Sequence, residues 1–442
     1  MPSWLIDGLG TTDALADVFS DASLVRGMLA FETALAAAEA MNGLIPRRAA
    51  ESIAAVAAKR AIDATAVARD ARESGTIAIP FVKALTDQVG EVDAESAQFV
   101  HWGATSQDVV DTAMVLALVQ ARAVLAADHE RLVAALRVLS DRHARTVMLG
   151  RTLLQPAPPI TFGLKAARWL AAAARGWNRA NTAFKDAAAL QFGGASGTLA
   201  ALGPRSSEVA RAVAYALQIE NPPAPWHTDR DRLAALATAL AVYTGTLGKI
   251  ARDIALLMQH EVSEAAEPGG GSSTMPHKRN PASCAIAIAG ATRMPGLAAA
   301  FLGAMTQEHE RAAGGWQSEW PTLAAIVQGA GAVLRALAGA LEHLEVFPDR
   351  MRDNIARTNG AIFAERVVML ALPRAGKAAA RALVDAALER VRRDRVTLGA
   401  ALASLPDATR LLTPDELRSI DVPEEYLGAA EEMRVALLES AT

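Results

Sequence analysis

Five long segments rich in alanine and leucine occupy the middle of the sequence, at residues 108–142, 157–190, 229–265, 281–307 and 320–345. Because both residue types favour helix, each segment is predicted to be helical. A helix over 229–265 would be roughly 50 Å long at about 1.5 Å per residue. Apolar residues cover more than one face of these segments, and one small domain could not bury them. The pattern predicts an all-α fold in which a long helical bundle is shared between subunits.

The distribution of long segments and turns divides the sequence into three predicted domains. A chain of 442 residues is long enough to bury two or three cores. Residues 1–100 show the pattern of short amphipathic helices, 101–345 hold the long segments, and 346–442 return to short helices with turns at Pro348 and Pro414. We therefore expect an N-terminal helical domain, a central bundle domain and a small C-terminal helical domain.

Charge, cysteine content and histidine spacing exclude several classes of function. A net charge of −4 provides no basic field for nucleic acid. The single cysteine, Cys284, cannot form an intrachain disulfide or a cysteine-based metal cluster, and its apolar neighbours favour a packed thiol. The eight histidines lack the spacing of metal ligands, and no phosphate-binding loop or dinucleotide fingerprint occurs. We expect chemistry that needs neither a metal nor a cofactor.

The apolar segments are interrupted by charged residues, as 229–265 is by Arg252, Asp253 and Glu261. A membrane-spanning helix needs about 18 or more consecutive apolar residues, so none is expected. The first residues lack a basic segment followed by an apolar run, and no secretory signal is predicted. These features predict a soluble cytoplasmic protein.

The most polar interruption of the helical pattern lies at residues 269–281, which read Gly-Gly-Gly-Ser-Ser-Thr-Met-Pro-His-Lys-Arg-Asn-Pro. Glycine permits positive φ and close backbone approach, so the pattern predicts a loop that can surround an anion. Lys278 and Asn280 offer donors to a carboxylate, and Ser272 and Ser273 offer hydroxyls that could exchange a proton. The alternative interpretation is a solvated loop with a helix cap at Asn280-Pro281.

A second polar stretch, His-Trp-Gly-Ala-Thr-Ser-Gln-Asp at 101–108, precedes one of the long segments. It offers His101, Thr105 and Ser106 as ligands for a polar substrate. Polar stretches at the ends of helices are common components of a composite site. The alternatives are that Thr105 and Ser106 are N-caps of the next helix and that His101 is a structural histidine.

A third polar stretch, Gly-Arg-Thr-Leu-Leu-Gln at 150–155, contributes Thr152 and Gln155 as further candidate ligands. Three prolines follow at 156, 158 and 159, and proline is favoured in the first turn of a helix. Thr152 and Gln155 are therefore open to a second interpretation, as the residues that precede a proline-rich helix start.

The loop at 269–281 resembles the signature G-S-S-x-M-P-x-K-x-N-P of the fumarase/aspartase superfamily and matches its fixed positions. The stretches 101–108 and 150–155 resemble the first two shared regions of that superfamily, in the same order and spacing. The resemblance implies an all-α, three-domain subunit in a homotetramer with a shared central bundle. It also implies active sites to which three subunits contribute.

The chemistry of this superfamily adds or eliminates a group next to a carboxylate, with proton transfer at the α-carbon. Charge then develops on the carboxylate oxygens and requires dense hydrogen-bond donors. By resemblance, Ser272 matches the serine that exchanges a proton with carbon. Lys278 and Asn280 match the residues that hold the substrate carboxylate.

Four further stretches, 78–85, 190–197, 225–228 and 307–311, resemble the cycloisomerases of this superfamily. These enzymes close a ring when one carboxylate of the substrate adds to a double bond. The resemblance implies a small tricarboxylate substrate, with His227 and Arg311 as candidate ligands. The alternatives are a packed histidine and a surface salt bridge between Arg311 and Glu308 or Glu310.

One position departs from the pattern of many superfamily members, which carry a Thr-His pair in the second region. This chain has Thr152-Leu153 there. General acid catalysis is typically worth about 10²–10⁴ in rate, so a strongly basic leaving group would suffer from the loss. A carboxylate, with a pKa of about 4, needs little protonation.

Leu153 therefore favours an internal carboxylate nucleophile over a C–N lyase such as adenylosuccinate lyase, which remains the first alternative. The second alternative is a helical scaffold without activity. The presence of Ser272, Lys278 and Asn280 speaks against it.

Overall fold

The computed structural model describes residues 4–271, 275 and 278–441. Within these residues the chain is built almost entirely from helices. The α-helices are α1 (Trp4–Asp7), α2 (Asp13–Val18), α3 (Asp21–Met41), α4 (Arg47–Lys59), α5 (Ala64–Ser74), α6 (Ala78–Gly90), α7 (Ala94–Ala97), α8 (Ser106–Arg142), α9 (Phe162–Ala187), α10 (Ser206–Leu217), α11 (Asp231–Leu257), α12 (Ala282–Ala304), α13 (Gly315–Glu342), α14 (Pro348–Ala356), α15 (Ala364–Asp394), α16 (Leu398–Ala403), α17 (Pro406–Leu411), α18 (Pro414–Ser419) and α19 (Ala430–Glu439).

Two small antiparallel sheets accompany the helices in the described part of the chain. Strands β1 (Val147–Thr152) and β2 (Gln155–Thr161) form a hairpin, and the two-residue strands β3 (Ala265–Ala266) and β4 (Glu345–Val346) form a second pair. Short 3-10 turns occur at Gly8–Gly10, Ala200–Arg205, Ala361–Phe363 and Pro423–Tyr426. The predicted all-α class is confirmed.

The five predicted long helices are present as α8, α9, α11, α12 and α13. Helix α11 ends at Leu257, so it is roughly 40 Å long and shorter than the segment 229–265 predicts. The predicted proline-rich helix start after Gln155 is wrong. The prolines lie in β2, and helix α9 begins only at Phe162.

The C-terminal region is less fragmented than the sequence predicts. Helix α15 covers 31 residues, where only short helices were expected after residue 346. Gly376, with φ 75° and ψ 165°, departs from helical geometry inside it and divides it into two shorter helical runs. Glycine tolerates this conformation because it has no Cβ.

The chain divides into two compact units. Unit 1 comprises the chain up to His129, Gly176–Gly248 and Ile286–Ala336, and unit 2 comprises the remaining three stretches, Glu130–Arg175, Lys249–Ala285 and the chain from Leu337 onward. The unit boundaries fall inside the five long helices. The three-domain division at residues 100 and 345 stays a prediction.

Each unit has its own apolar core. In unit 1, Phe31, Leu35, Ile53 and Phe81 bring α3, α4 and α6 together and are at most 1% exposed. In unit 2, the base of the β1–β2 hairpin is part of the core, because Val147 and Leu149 pack in one cluster with residues of the C-terminal helices. Burial of such side chains contributes about 1.5–3 kcal/mol each.

Four helices are long and apolar enough to cross a membrane by length and composition alone: α8, α11, α12 and α13. This differs from the expectation that charged residues exclude such helices, because each of the four contains an apolar stretch of 18 residues with at most two charged residues. In α8 and α13, 61% of the window is buried within the chain, whereas in α12 only 22% is. A single chain therefore leaves most of the apolar α12 window uncovered.

Helix α3 buries two acidic side chains, Glu32 and Glu39, at 1% and 0% exposure. Among the residues that the structure describes, neither carboxyl oxygen of Glu39 has a hydrogen-bond partner. Burial, assisted by the charge of Glu32, raises the pKa of Glu39 from 4.5 to about 9. At neutral pH Glu39 is therefore a protonated acid inside the core.

The replacement Glu39→Gln is expected to stabilise the protein at and above neutral pH. Below pH 4.5, the folded and unfolded states both hold the proton, and the substitution has little effect. As the pH rises from 4.5 towards 9, the folded state must retain a proton that the unfolded state releases, so the penalty of the native residue grows. At about 1.36 kcal/mol per pKa unit, this penalty is on the order of 3 kcal/mol at pH 7.

Thermal unfolding at pH 5 and pH 8 measures this effect. The variant should gain more in melting temperature at pH 8 than at pH 5. The exposed Glu51→Gln is the control and should show no such difference. A gain that is equal at both pH values would contradict a buried neutral Glu39.

Candidate active site

Asp108, in the first turn of α8, is a fully buried carboxylate at the centre of unit 1's polar residues. It accepts hydrogen bonds from three separate segments of the chain. At Oδ1 the donors are Gly193 N (3.0 Å), Gln191 Nε2 (3.1 Å) and His227 Nε2 (2.9 Å), and at Oδ2 they are Thr105 N (3.0 Å) and Gly194 N (2.9 Å). One side chain therefore holds the ends of the loops 101–105, 191–194 and 225–228 together.

His227 is buried against this carboxylate at 4% exposure. Its backbone carbonyl accepts a hydrogen bond of 2.7 Å from Gln107 Nε2, so the residue is fixed at both backbone and ring. Gly193 makes the approach possible, because a Cβ there would lie 2.7 Å from Cε1 of His227. The ring faces the glycine-rich segment 193–197 and is oriented by Asp108.

Arg311 links the same segments from the other side. Its Nη1 donates to Thr105 Oγ1 at 2.6 Å, and its Nη2 donates to the carbonyls of Gly194 (3.3 Å) and Ala195 (3.0 Å). The alternative of a salt bridge with Glu308 or Glu310 is not found among the described residues. The guanidinium therefore lies at the polar site and not in a surface ion pair.

His101 occupies the turn that precedes α8. Its backbone is left-handed, with φ 58°, and its Nδ1 lies 2.6 Å from Oε1 of Glu32. Burial lowers the pKa of His101, but the nearby charges of Glu32 and Asp108 outweigh it and raise the pKa above the usual value. The imidazolium form is thus favoured. Ser106 begins α8 three residues after the turn and is half-buried.

A second buried cluster supports the segment that carries Arg311. Arg230 is 1% exposed and binds Asp111 Oδ2 at 2.7 Å and both oxygens of Glu319 at 2.6–3.2 Å. Gln307 Nε2 donates to Glu319 at 2.6 Å, and Trp316 Nε1 donates to Asp111 at 2.8 Å. The cluster therefore connects α8 with α13, and it also binds Arg230 next to the start of α11 and Gln307 before α13.

Sequence reasoning missed this cluster. Arg230 stands in the run Asp-Arg-Asp-Arg at 229–232, which is typical of a solvated helix start. Its neighbour Arg232 does contact Glu220 near the surface. No local pattern distinguishes the buried arginine from the exposed one, because the acids that pair with Arg230 lie 119 and 89 positions away in sequence.

In unit 2, Thr152 and Gln155 face each other at the end of the β1–β2 hairpin. The two residues between them, Leu153 and Leu154, have φ values of 50° and 65° and are 96% and 75% exposed. Two-residue hairpin turns of this kind favour Asn and Gly, and left-handed backbone is unfavourable for leucine. The chain therefore presents two exposed leucines in a strained turn, and the first of them, Leu153, stands where many members of the superfamily that the sequence resembles carry histidine.

The hairpin is anchored by a buried ion pair. Arg151 binds Glu264 through two hydrogen bonds of 2.9 and 2.6 Å, and Glu264 is 0% exposed. Asn354 Nδ2 donates to the same carboxylate at 2.8 Å. The two-point contact fixes the direction of β1 just before Thr152.

The described part of the loop 269–281 also lies in unit 2. The backbone N–H of Asn280 donates to the carbonyl of Gly270 at 2.8 Å, and a Cβ on Gly270 would lie 2.0 Å from the Asn280 carbonyl oxygen. Glycine is therefore required where the two ends of the loop meet. Arg279 pairs with Glu345, and Asn280 closes the base of the loop. The backbone N–H of Lys278 donates to the carbonyl of Met275 at 2.9 Å, farther into the loop.

Glu267 caps the helix that follows the loop. Its carboxylate accepts from the backbone N–H groups of Ser283 (2.7 Å) and Cys284 (3.2 Å) at the start of α12. Cys284 is fully buried, as predicted for a packed thiol, and burial raises its pKa. Ser272 and Ser273 lie outside the described residues.

The structure thus brings the candidate residues together in two places. His101, Thr105, Ser106, His227 and Arg311 lie in unit 1, around or next to Asp108. Thr152 and Gln155 lie at the hairpin end of unit 2, and Lys278 and Asn280 lie in its loop. Among the described residues, no group of three or more His, Cys, Asp or Glu could hold a metal ion.

Replacement of Asp108 by asparagine should destabilise unit 1 strongly. The amide nitrogen would face N–H donors in place of an accepting oxygen, and the loss of one partner from a buried charged network typically costs about 3–5 kcal/mol. Urea unfolding of Asp108→Asn measures this loss. The control Asp87→Asn removes an exposed carboxylate paired with Lys83 and should change stability by about 0.5 kcal/mol or less. Equal stabilities of the two variants would contradict the central role of Asp108.

Comparison with known proteins places the chain in a family. The sequence profile of a lyase family matches residues 9–296. A 3-carboxy-cis,cis-muconate cycloisomerase of Bradyrhizobium diazoefficiens is 45% identical over 431 residues, which is 97% of this chain and 96% of the relative. A nitrosuccinate lyase of Streptomyces davaonensis is 40% identical over 423 residues, 93% of this chain and 89% of the relative.

A solved structure agrees with these relatives. The crystal structure of 3-carboxy-cis,cis-muconate lactonizing enzyme from Pseudomonas putida superimposes with a TM-score of 0.94 at 41% identity and covers 99% of both chains. Sequence and fold lead to the same conclusion: this chain belongs to the lyase family of the fumarase/aspartase superfamily.

Proposed function

We propose that the protein is a cycloisomerase that converts 3-carboxy-cis,cis-muconate to 4-carboxymuconolactone in protocatechuate (aromatic) degradation. The proposal is supported by relatives of that activity at 39–45% identity over nearly the whole chain. The protein acts without metal or cofactor, in the cytoplasm.

In the proposed reaction, one carboxylate oxygen of the substrate adds to a carbon of a double bond and forms the ring C–O bond. The π electrons of that double bond move to the neighbouring α-carbon, whose carboxylate takes up the developing charge. Lys278 and Asn280 hold this carboxylate, and Ser272 gives its proton to the α-carbon. The alkoxide of Ser272 then regains a proton from water, so the enzyme returns to its starting state.

The other candidate residues bind the remaining carboxylates of the tricarboxylate substrate. His101 and Arg311 supply positive charge, Thr105, Ser106, Thr152 and Gln155 supply neutral polar groups, and His227 supplies a ring that is held by Asp108. Arg311 suits this role because its planar guanidinium already bridges Thr105 and the segment 194–195, where it can exchange a carbonyl partner for a carboxylate.

The observation that favours lactone formation over a C–N lyase is the exposed leucine pair at the hairpin end. A histidine at 153 could assist a basic leaving group, and this chain has no such group at the turn. An internal carboxylate nucleophile needs no proton transfer to the oxygen that it adds. The turn therefore fits lactone formation better than elimination of an amine, as in adenylosuccinate lyase.

Elimination of nitrite from nitrosuccinate is the second candidate function. The relative of that activity is 40% identical, and nitrite also leaves without protonation, so Leu153 does not argue against it. What favours the cycloisomerase is the higher identity of several cycloisomerase relatives and the number of cationic groups for a third carboxylate.

An ultraviolet assay with 3-carboxy-cis,cis-muconate, nitrosuccinate and adenylosuccinate distinguishes the three reactions. We expect turnover of the muconate alone. Ser272→Ala should lower kcat by about 10³ or more, since the carbon would lose its proton donor. Ser207→Ala, an exposed serine of α10, is the control and should retain full activity. Turnover of nitrosuccinate or adenylosuccinate with none of the muconate would overturn the proposal.

The proposed assembly is a homotetramer in which the apolar faces of the long helices cover one another. This accounts for the uncovered apolar window of α12 without a membrane. Light scattering should give a mass of roughly 185 kDa, four times the 46.2 kDa of one chain. Leu302→Glu, on the exposed face of α12, should lower the mass, because a buried unpaired charge is costly in an interface.

Met433→Glu in the C-terminal helix α19 is the control for this variant, since it places the same charge on an exposed apolar residue outside the long helices. A native protein that scatters as a monomer at micromolar concentration would contradict the shared assembly.

A further inference from the structure

Helix α3 carries a buried carboxylate that is paired with a histidine of the candidate site. Glu32 is 1% exposed, and its Oε1 lies 2.6 Å from Nδ1 of His101, 69 positions later in the sequence. Burial of a carboxylate is unfavourable unless a hydrogen-bonded partner compensates. His101 provides that partner, so the two side chains act as one polar unit.

The turn that carries His101 has an unusual backbone conformation. His101 has a φ of 58°, in the left-handed region that residues other than glycine rarely adopt. The same turn continues to Thr105, whose backbone N–H binds Asp108 and whose hydroxyl accepts from Arg311. The position of His101 is therefore coupled to the loops that Asp108 holds together.

The second ring nitrogen of His101 remains available. The side chain is 14% exposed, and no hydrogen-bond partner of Nε2 is present in the described parts of the chain. Because Nδ1 faces Glu32, the charged ring carries a proton on Nε2 that can be donated to an anion.

The charged groups that act on this ring come from two elements. Glu32 projects from α3, and Asp108 projects from the start of α8. Burial lowers the pKa of His101, but the charge and the hydrogen bond of Glu32, together with Asp108, outweigh it and raise the pKa. Both acids favour the imidazolium form, and Glu32 is the one in direct contact.

Glu39 shows that α3 does not need a basic partner for each buried acid. It lies seven residues after Glu32 on the same helix and is 0% exposed, yet neither of its carboxyl oxygens has a hydrogen-bond partner in the described part of the chain. That side chain remains in the core as a neutral acid. Glu32, in contrast, faces a histidine at the polar site.

We propose that Glu32 is a positioning residue, which holds His101 as an imidazolium with its Nε2–H directed to a carboxylate of the substrate. The inference rests on the proposed function only in that the substrate is a polycarboxylate. Glu32 itself does not touch the substrate and acts through the ring of His101.

The direct test is NMR of the protein labelled with ¹³C at the histidine Cε1 position, with the His101 signal assigned by its loss in His101→Asn. In the native enzyme, His101 should titrate above the ordinary histidine pKa. In Glu32→Gln, the titration should move to lower pH, whereas in Glu39→Gln it should stay near the native position. A His101 that titrates below the ordinary value in the native enzyme would overturn the inference, and this outcome needs no variant to fold.

The kinetic test uses 3-carboxy-cis,cis-muconate as the substrate. Glu32→Gln should raise KM by about 10-fold or more and change kcat less. The variant weakens the charged hydrogen bond from His101 Nε2 to the substrate carboxylate, and this bond is present in both the bound ground state and the transition state. The imidazolium is lost as the pH rises through its pKa, so the fall of kcat/KM on the basic side should move to lower pH in this variant. Glu32→Asp, which retains the charge, should recover part of the affinity.

If Glu32 had a structural role alone, Glu32→Gln would lower the melting temperature, but the pH profile of kcat/KM of the folded protein would be the same as that of the native enzyme. That result would contradict the inference. The two proposals fail separately. If the native enzyme does not turn over the muconate, the proposed function is wrong, whereas the NMR titration still decides whether Glu32 holds the proton on His101.

Discussion

The polar architecture of unit 1 depends on one buried carboxylate. Asp108 accepts five hydrogen bonds from three loops, of which two come from the backbone of the adjacent glycines 193 and 194. A carboxylate has about four lone-pair sites, so this one is saturated. Because a buried charge is tolerated only when its partners are in place, the loops can be ordered only together. The first turn of α8 therefore fixes the arrangement of the three loops around Asp108.

The next turn of α8 extends this order to the cationic groups. Asp111 lies on the same side of the helix, three residues after Asp108, and binds Arg230, which in turn binds Glu319. Gln307 joins the cluster through Glu319 and leads into the segment that ends at Arg311. Two acids on one helix thus position both the loops around Asp108 and the segment that leads to Arg311.

The helical fold and the superfamily could be predicted from the sequence because both depend on patterns within short, contiguous segments. Helix propensity marks α8, α9, α11, α12 and α13, and the loop at 269–281 carries a contiguous signature. The prolines after Gln155 led to a wrong prediction of a helix start. Proline is tolerated in the first turn of a helix, but also in an edge strand such as β2, where some backbone N–H groups pair with no neighbouring strand. The choice between them depends on the pairing of β2 with β1, which is not a local property.

The supporting residues of the site could not be predicted for the same reason. Glu32 lies in a largely apolar helix, and the residues next to it in sequence do not indicate that it pairs with His101, 69 positions later. Arg230 resembles its exposed neighbour Arg232 until the fold places two acids beside it. In both cases the pairing partners are separated by more than 60 residues, so tertiary structure alone reveals them.

The leucine turn at 153–154 connects these structural features to the proposed chemistry. The loop at 269–281 matches the signature of the superfamily, whereas position 153 holds leucine in place of histidine. In the proposed function, this combination suits a nucleophile that needs no proton transfer. Three carboxylates on one substrate would supply both the group that adds and the groups that His101 and Arg311 bind. The site as described is therefore consistent with an intramolecular addition.

The most direct test of this account is to run the reaction on 3-carboxy-cis,cis-muconate in D₂O enriched in ¹⁸O and to analyse the product by mass spectrometry. Lactone formation by an internal carboxylate predicts a product that carries one deuterium at the α-carbon and no ¹⁸O. Incorporation of ¹⁸O, which would show that water adds to the double bond, or the absence of lactone would contradict the central claim.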